Sequence, residues 1–201
     1  MIAYKFLAGA RRGRFSAFTW PEPGTWVRDP GPLDVCRSGI HACAVEHLPF
    51  WLDQELWVIE LDGEVLSRGN QLVAGAGRLV ERVSGWTPAC TQDYADECAR
   101  RGARHAMTAL RAAGFGAAAT RLEEAASVED LRAAAAELVA ADPELPIAVA
   151  MARDGARRAV TGAAPTAAYI AAHTAARVGG SQAYAAERRR QADWLAARLG
   201  L

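Results

Sequence analysis

Lysine is almost missing from this 201-residue chain: of its 23 basic side chains only Lys5 is a lysine, and all the others are arginine. We read that bias as the mark of a GC-rich genome. Acidic side chains also number 23, so the formal charge is zero. No net field is available to gather nucleic acid or an anionic membrane surface. No apolar run approaches the roughly 20 residues of a membrane span. The opening stretch MIAYKFLAGARRGRF has too short an apolar segment for a secretory signal, and its arginines follow that segment instead of preceding it. Twin-arginine export would need an apolar segment after Arg11-Arg12, and none follows. Four cysteines are too few for a disulfide framework in a chain this long. The expectation is a cytoplasmic protein with no nucleic-acid and no membrane partner.

What is present divides unevenly. Five of the six tryptophans (Trp20, Trp26, Trp51, Trp57, Trp86) precede residue 87, and alanine runs such as AAAAELVAA and AAYIAAHTAA dominate afterwards. Aromatic residues favour strands and alanine favours helices. The expected fold class is therefore α+β. A mainly antiparallel β-rich domain is placed over 1–86 and an alanine-rich helical bundle over 87–201. Strands are expected at Ile2–Leu7, Phe15–Trp20, Val35–Cys43 with a break at Gly39, from Glu55 to a turn at Asp62-Gly63, and through GRLVERV. Val45–Leu52 suits a short helix or turn. Helices are bounded by Thr87-Pro88 and a stop at Gly114 and Gly116, by a Ser127 capping box and Asp142-Pro143, by Pro146 and Val160, by Pro165 and Gly179-Gly180, and by Ser181 and the last residues. Alanine faces bury less surface than leucine faces, so the bundle gains from a further partner: the tryptophan-rich half, another protein or a second copy in a homodimer.

The stretch CRSGIHAC, residues 36–43, concentrates the chemistry. Three readings stay open. As a metal site, Cys36, His41, Cys43 and His47 would supply four zinc ligands, though C-x4-H-x-C-x3-H is not a common finger spacing. As a pocket, Gly39 would let the backbone approach a ligand, and Ser38 and His41 would hydrogen-bond it. His41 would act as acid, base or orienting group, and Cys43 as a wall or a thiol nucleophile. On a strand His41 and Cys43 share a face. As plain structure, the cysteines and the histidine would be core. Trp20, Trp51 and Trp57 are candidate ligand-stacking walls, and equally core packing.

Around these residues, Tyr4 to Val83 resembles an uncharacterised domain of actinobacterial and phage proteins. Its signature is C-x-S-G-[apolar]-H-A-C, followed by a short apolar-aromatic helix (here HLPFWL) and a strand ending in a glycine turn (ELWVIELDGEV). That resemblance brings no established activity. A weaker likeness runs to ADP-ribosyltransferases in the order GIHAC, HLPFWL, WVIELDG, and implies NAD and a transferase-like activity. The departures are that no first-strand arginine or histidine is assignable among Arg11, Arg12 and Arg14, that no Ser-Thr-Ser is present, and that only Glu81 stands where the late glutamate would.

The leading expectation is a pocket for a small polar or nucleotide-like ligand, with group transfer as its chemistry. The alternative is a non-catalytic interaction or immunity-type protein. Asp53, Glu55, Glu60, His105 and His173 carry no specific signal. The charge run Glu187–Gln191 reads as a solvated helix face, and GAGR at 75–78 lacks the helix and lysine of a phosphate loop.

Overall fold

Period-two alternation builds the N-terminal sheet, and small-residue faces build the helices that follow. The computed structural model describes residues 1–16, 18–35, 37–142 and 144–201, so Cys36 lies outside the described residues. The fold class is α+β, as expected. The chain divides into two compact units, Met1–Thr87 with Ala192–Leu201, and Pro88–Gln191.

In the first unit, β1 (Ile2–Leu7) pairs antiparallel with β4 (Glu55–Arg68), and β4 pairs with β5 (Gln71–Arg82). The free edge of β5 takes two short strands end to end: β2 (Val27–Arg28) opposite Gly77 and Ala76, and β3 (Ile40–Ala42) opposite Ala74 to Leu72. Just beyond β3, Cys43 and Tyr4 of β1 exchange both backbone hydrogen bonds at 2.8 Å. The sheet therefore curls until its last strand meets its first. Two irregularities in β4, at Val58/Ile59 and Asp62/Val65, supply the bend. The inner face is apolar: Ala3, Leu7, Trp20, Ile40, Trp57 and Ile59 are buried together. On the other face Phe6 meets Trp86 edge-on at 5.4 Å.

Three strand expectations are corrected. Asp62-Gly63 does not close β4; Gly63 (φ +82) is part of a bulge, and the hairpin turns at Gly69-Asn70, with Arg68 opposite Gln71. A positive-φ glycine serves a bulge and a turn equally, so sequence does not separate them. Phe15–Trp20 supplies no strand among its described residues. It folds back on itself, Gly13 N–H donating to Phe18 O and Trp20 N–H to Arg11 O. Phe15 is 80% exposed. Among the described residues of Val35–Cys43 only Ile40–Ala42 is strand, because Gly39 sits at φ +100. Val45–Phe50 is a 3₁₀ helix containing Pro49.

The second unit holds α1 (Pro88–Ala112), α2 (Gly116–Glu123), α3 (Val128–Ala141), α4 (Ile147–Val160) and most of α5 (Ala164–Leu199). Gly114 at φ +85 ends α1. The Ser127 box forms, its Oγ accepting from Asp130 N–H at 3.0 Å and the Asp130 carboxylate from Ser127 N–H at 3.0 Å. α2 is unexpected: Gly116 opens a helix where it was read as part of a stop, since Ala117–Ala119 are strong helix formers and Ala119 and Leu122 find burial. α5 breaks at Gly179 and Gly180, the latter at φ +70 and ψ −160. Close helix approach needs small residues: a Cβ on Gly155 would stand 3.3 Å from Ile170 Cγ2. Among the described residues no helix is long and apolar enough to cross a membrane.

The expected solvated face at Glu187–Gln191 is also corrected. Arg189 and Arg190 are exposed, but Arg188 and Gln191 are buried and Glu187 is 1% exposed. Helical period puts positions 187, 188 and 191 on one stripe. There His105 donates from Nε2 to Glu187 at 3.1 Å. Gln191 donates to Glu187 at 3.2 Å and to Ala168 O at 3.1 Å. Arg188 donates to Gln191 at 3.1 Å. His173 instead lies between the rings of Tyr169 and Tyr184, at 4.1 and 5.2 Å. Removing one member of a buried charged network strands the others. Glu187→Ala is expected to lose about 3 kcal/mol in urea unfolding, and Glu187→Gln, which keeps an acceptor for His105, clearly less.

Candidate functional site

A cleft of about 810 Å³ opens within the sheet unit, lined by β1, β3, the loop after β2 and the segment around Arg14–Phe18. Its shape depends on a clasp. Asp29 accepts backbone N–H bonds from Gly31 at 3.0 Å and from Gly39 at 2.7 Å. Asp29 N–H in turn donates to Gly75 O at 2.9 Å. The two amides hold the Asp29 carboxyl below the usual carboxylate range. Only glycine serves at position 39. Its φ is +100, and a Cβ there would fall 2.6 Å from Val73 Cγ1 and 3.1 Å from Ala74 O.

Beyond the clasp stands His41. Its Nδ1–H donates to Gly39 O at 3.0 Å, which leaves Nε2 as the lone-pair nitrogen of the neutral ring. Partial burial lowers the His41 pKa below its ordinary value; the Gly39 bond opposes this and nearby Lys5 adds to it. Two places further on, Cys43 is 1% exposed. Burial pushes its thiol up to about 12.

Lys5 is on the inner face of β1, between Ala3 and Leu7, both of which belong to the buried apolar cluster. Its opposite residue in β4 is Trp57. The ammonium donates to His41 O at 2.5 Å and stands 5.3 Å from the Trp20 ring centroid. Desolvation brings its pKa down to about 8, with Cys43 pulling weakly the other way.

The structure gathers some of the expected residues and separates others. Gly39, His41, Cys43, Trp20 and Trp51 line the cleft. Trp51 is fixed by a bond from Nε1 to Asn70 O at 2.9 Å. Ser38 does not line it; its hydroxyl donates to Pro32 O. Trp57 is core, with Nε1 donating to Glu55 at 3.0 Å. His47 packs edge-on to Phe50 at 6.2 Å and is not in the lining. Among the described residues no three His, Cys, Asp or Glu side chains are placed to hold a metal, so His41, Cys43 and His47 do not assemble a zinc site; Cys36 lies outside those residues. Glu81 is exposed on β5, away from the cleft.

Several lining groups escaped the sequence reading: Lys5, Asp29, Arg14, Arg28 and Arg37. Arg14 also donates to Leu52 O at 3.1 Å, which pins its segment across the cleft. One signal was available. A single lysine among arginines, set in an alternating strand between Ala3 and Leu7, is an inward-facing amine by register alone.

Comparison with protein-family models, curated proteins and solved structures finds no match to this chain. The function is therefore argued from the cleft.

Two expectations follow from this geometry. Gly39→Ala combines left-handed strain with overpacking and is expected to cost about 3 kcal/mol, read from urea unfolding. Lys5 has a folded pKa below its unfolded value, so the folded chain holds fewer protons between about pH 8 and 10.5. Stability from this group rises with pH through that window, and below pH 8 the half-buried ammonium is a standing cost of about 1–2 kcal/mol after discounting for solvent screening. Thermal unfolding at pH 7 and pH 10 should show the wild-type chain gaining stability relative to Lys5→Met; parallel curves would refute the buried amine.

Proposed function

We propose that the cleft binds a small anionic ligand carrying a flat ring, nucleotide-like in kind, and that His41 orients it or moves a proton on it in a group-transfer reaction. The observation that carries this reading is the charge of the lining. Four cationic side chains, Lys5, Arg14, Arg28 and Arg37, face one carboxylate, Asp29. That carboxylate is already occupied by two backbone amides. Guanidinium groups suit phosphate and carboxylate oxygens in bidentate fashion. Trp51 and Phe18 add ring surfaces for stacking. The volume of about 810 Å³ falls within the range of roughly 300–1,000 Å³ typical of small-ligand sites.

In this reading Cys43 is a wall. A thiol with a pKa of about 12 carries almost no thiolate near neutrality, so it is no nucleophile there. His41 is the proton-moving group: its neutral form presents Nε2 as a base, and Gly39 O fixes the tautomer. NAD and ADP belong to the same ligand class, which keeps the transferase reading in play without requiring it.

Tryptophan fluorescence titration tests the reading, since Trp20 and Trp51 line the cleft. ADP and NAD should quench with micromolar to millimolar affinity, and adenosine at least tenfold more weakly. Arg28→Ala with Arg37→Ala should weaken ADP binding by tenfold or more and flatten its salt dependence. His41→Ala should bind but turn over nothing. Equal affinity for ADP and adenosine, or no quenching by either, would remove the anionic-ligand assignment.

A further inference from the structure

The cleft has one group whose chemistry differs from all its neighbours. Apart from the histidines, every other basic side chain in the protein is a guanidinium, which keeps its proton in any protein environment. Lys5 is an amine, and amines become nucleophiles once deprotonated. Its position is built, not incidental. Register turns it toward the inner face of β1, between Ala3 and Leu7. One N–H is committed to His41 O at 2.5 Å, and the Trp20 ring lies 5.3 Å away. The same side chain lines the cleft that Arg14, Arg28 and Arg37 share.

We propose that Lys5 is a reactive amine of this cleft and forms an imine with an anionic carbonyl compound, an aldehyde or 2-oxo acid whose charge the arginines hold. This deepens the ligand assignment above and rests on it for the anionic part. The neutral Nζ attacks the carbonyl carbon, and the C=O π pair moves to oxygen, which takes a proton. The nitrogen gives up one proton to solvent to form the carbinolamine; its hydroxyl then takes a second proton from solvent and leaves as water, while the nitrogen loses its remaining proton to solvent and the C=N bond forms. No oxidant or metal is required.

The surroundings favour the neutral amine. Desolvation on the inner face brings the Lys5 pKa to about 8, so that about a tenth of the groups are uncharged at pH 7. The titratable groups around it are His41 and Cys43 at β3 and Asp29 in the preceding loop; from β4 it is opposed by Trp57, which does not titrate. Asp29 is the anion of this group, His41 with its lowered pKa is chiefly neutral at pH 7, and Cys43 stays a thiol across the range tested.

Because the chain has one lysine, the test is clean. The full-length protein is treated at pH 7 with pyridoxal phosphate, an anionic aldehyde, and the imine is trapped with borohydride. Intact mass gives the number of adducts, and fragmentation of the N-terminal peptide divides them between Lys5 and the Met1 amino group. The reference is an N-acetylated peptide spanning Ile2–Leu7. We expect Lys5 to carry most of the label and to react at least tenfold faster than the peptide lysine. Its rate should climb with a midpoint near pH 8. Lys5→Arg, which keeps the charge, should lose that adduct. Label mainly on Met1, or a Lys5 rate no greater than that of the peptide, overturns the proposal. ADP, which has no carbonyl, separates the two readings. Fast Lys5 labelling without ADP protection keeps the amine and fails the nucleotide-like ligand. ADP binding with slow Lys5 labelling does the reverse.

Discussion

The pair of backbone hydrogen bonds between Tyr4 and Cys43 is the constraint on which the sheet unit depends. Without it, β3 would be a three-residue flap on the edge of β5. With it, the strand path returns to its start and the inner face becomes an enclosed surface. Closure also brings the carbonyl of His41 within reach of Lys5. A cation on an apolar strand face would otherwise have only water to turn to. Topology thus comes before chemistry here: the site follows from where the sheet meets itself.

The second requirement is the Asp29 clasp. A carboxylate accepting two amide bonds ties the start of the loop after β2 to Gly31 and Gly39. It leaves Gly39 at a positive φ that no other residue would adopt comfortably, against Val73 and the backbone of β5. The same arrangement spends the negative charge of Asp29 on the protein itself. What the cleft offers to an incoming molecule is then dominated by arginine and by ring faces.

Much of this architecture was legible from the chain, and the failures have physical causes. β1 and the capped helix α3 were legible because their signals are local: alternation at Ile2–Leu7, a capping box at Ser127. Phe15–Trp20 alternates as a strand does, but pairing is a property of the neighbour, and its described residues bond back to Arg11 and Gly13 instead of to the sheet. Asp62-Gly63 has the composition of a hairpin turn and works as a bulge, because the decision belongs to the opposite strand. His41 and Gly39 were found through their cluster. Lys5, Asp29 and the lining arginines were missed, since they come together only when distant segments meet. Ser38 and Trp57 show the converse: chemically apt residues near the motif whose polar atoms are already engaged by Pro32 O and Glu55.

Alanine-lined helices present nearly featureless surfaces, and a smooth surface does not define its own axial position. A shift of one turn would replace methyl by methyl at little cost. The buried polar group near the end of the helical unit removes that freedom. Displacing α5 by a turn would carry Glu187 away from His105 and Gln191 away from Ala168 O, leaving a charge and an amide enclosed without partners. The cluster works as a locating pin: it adds little net attraction, yet it makes every sliding alternative expensive and leaves a single alignment for helices that could otherwise settle in several.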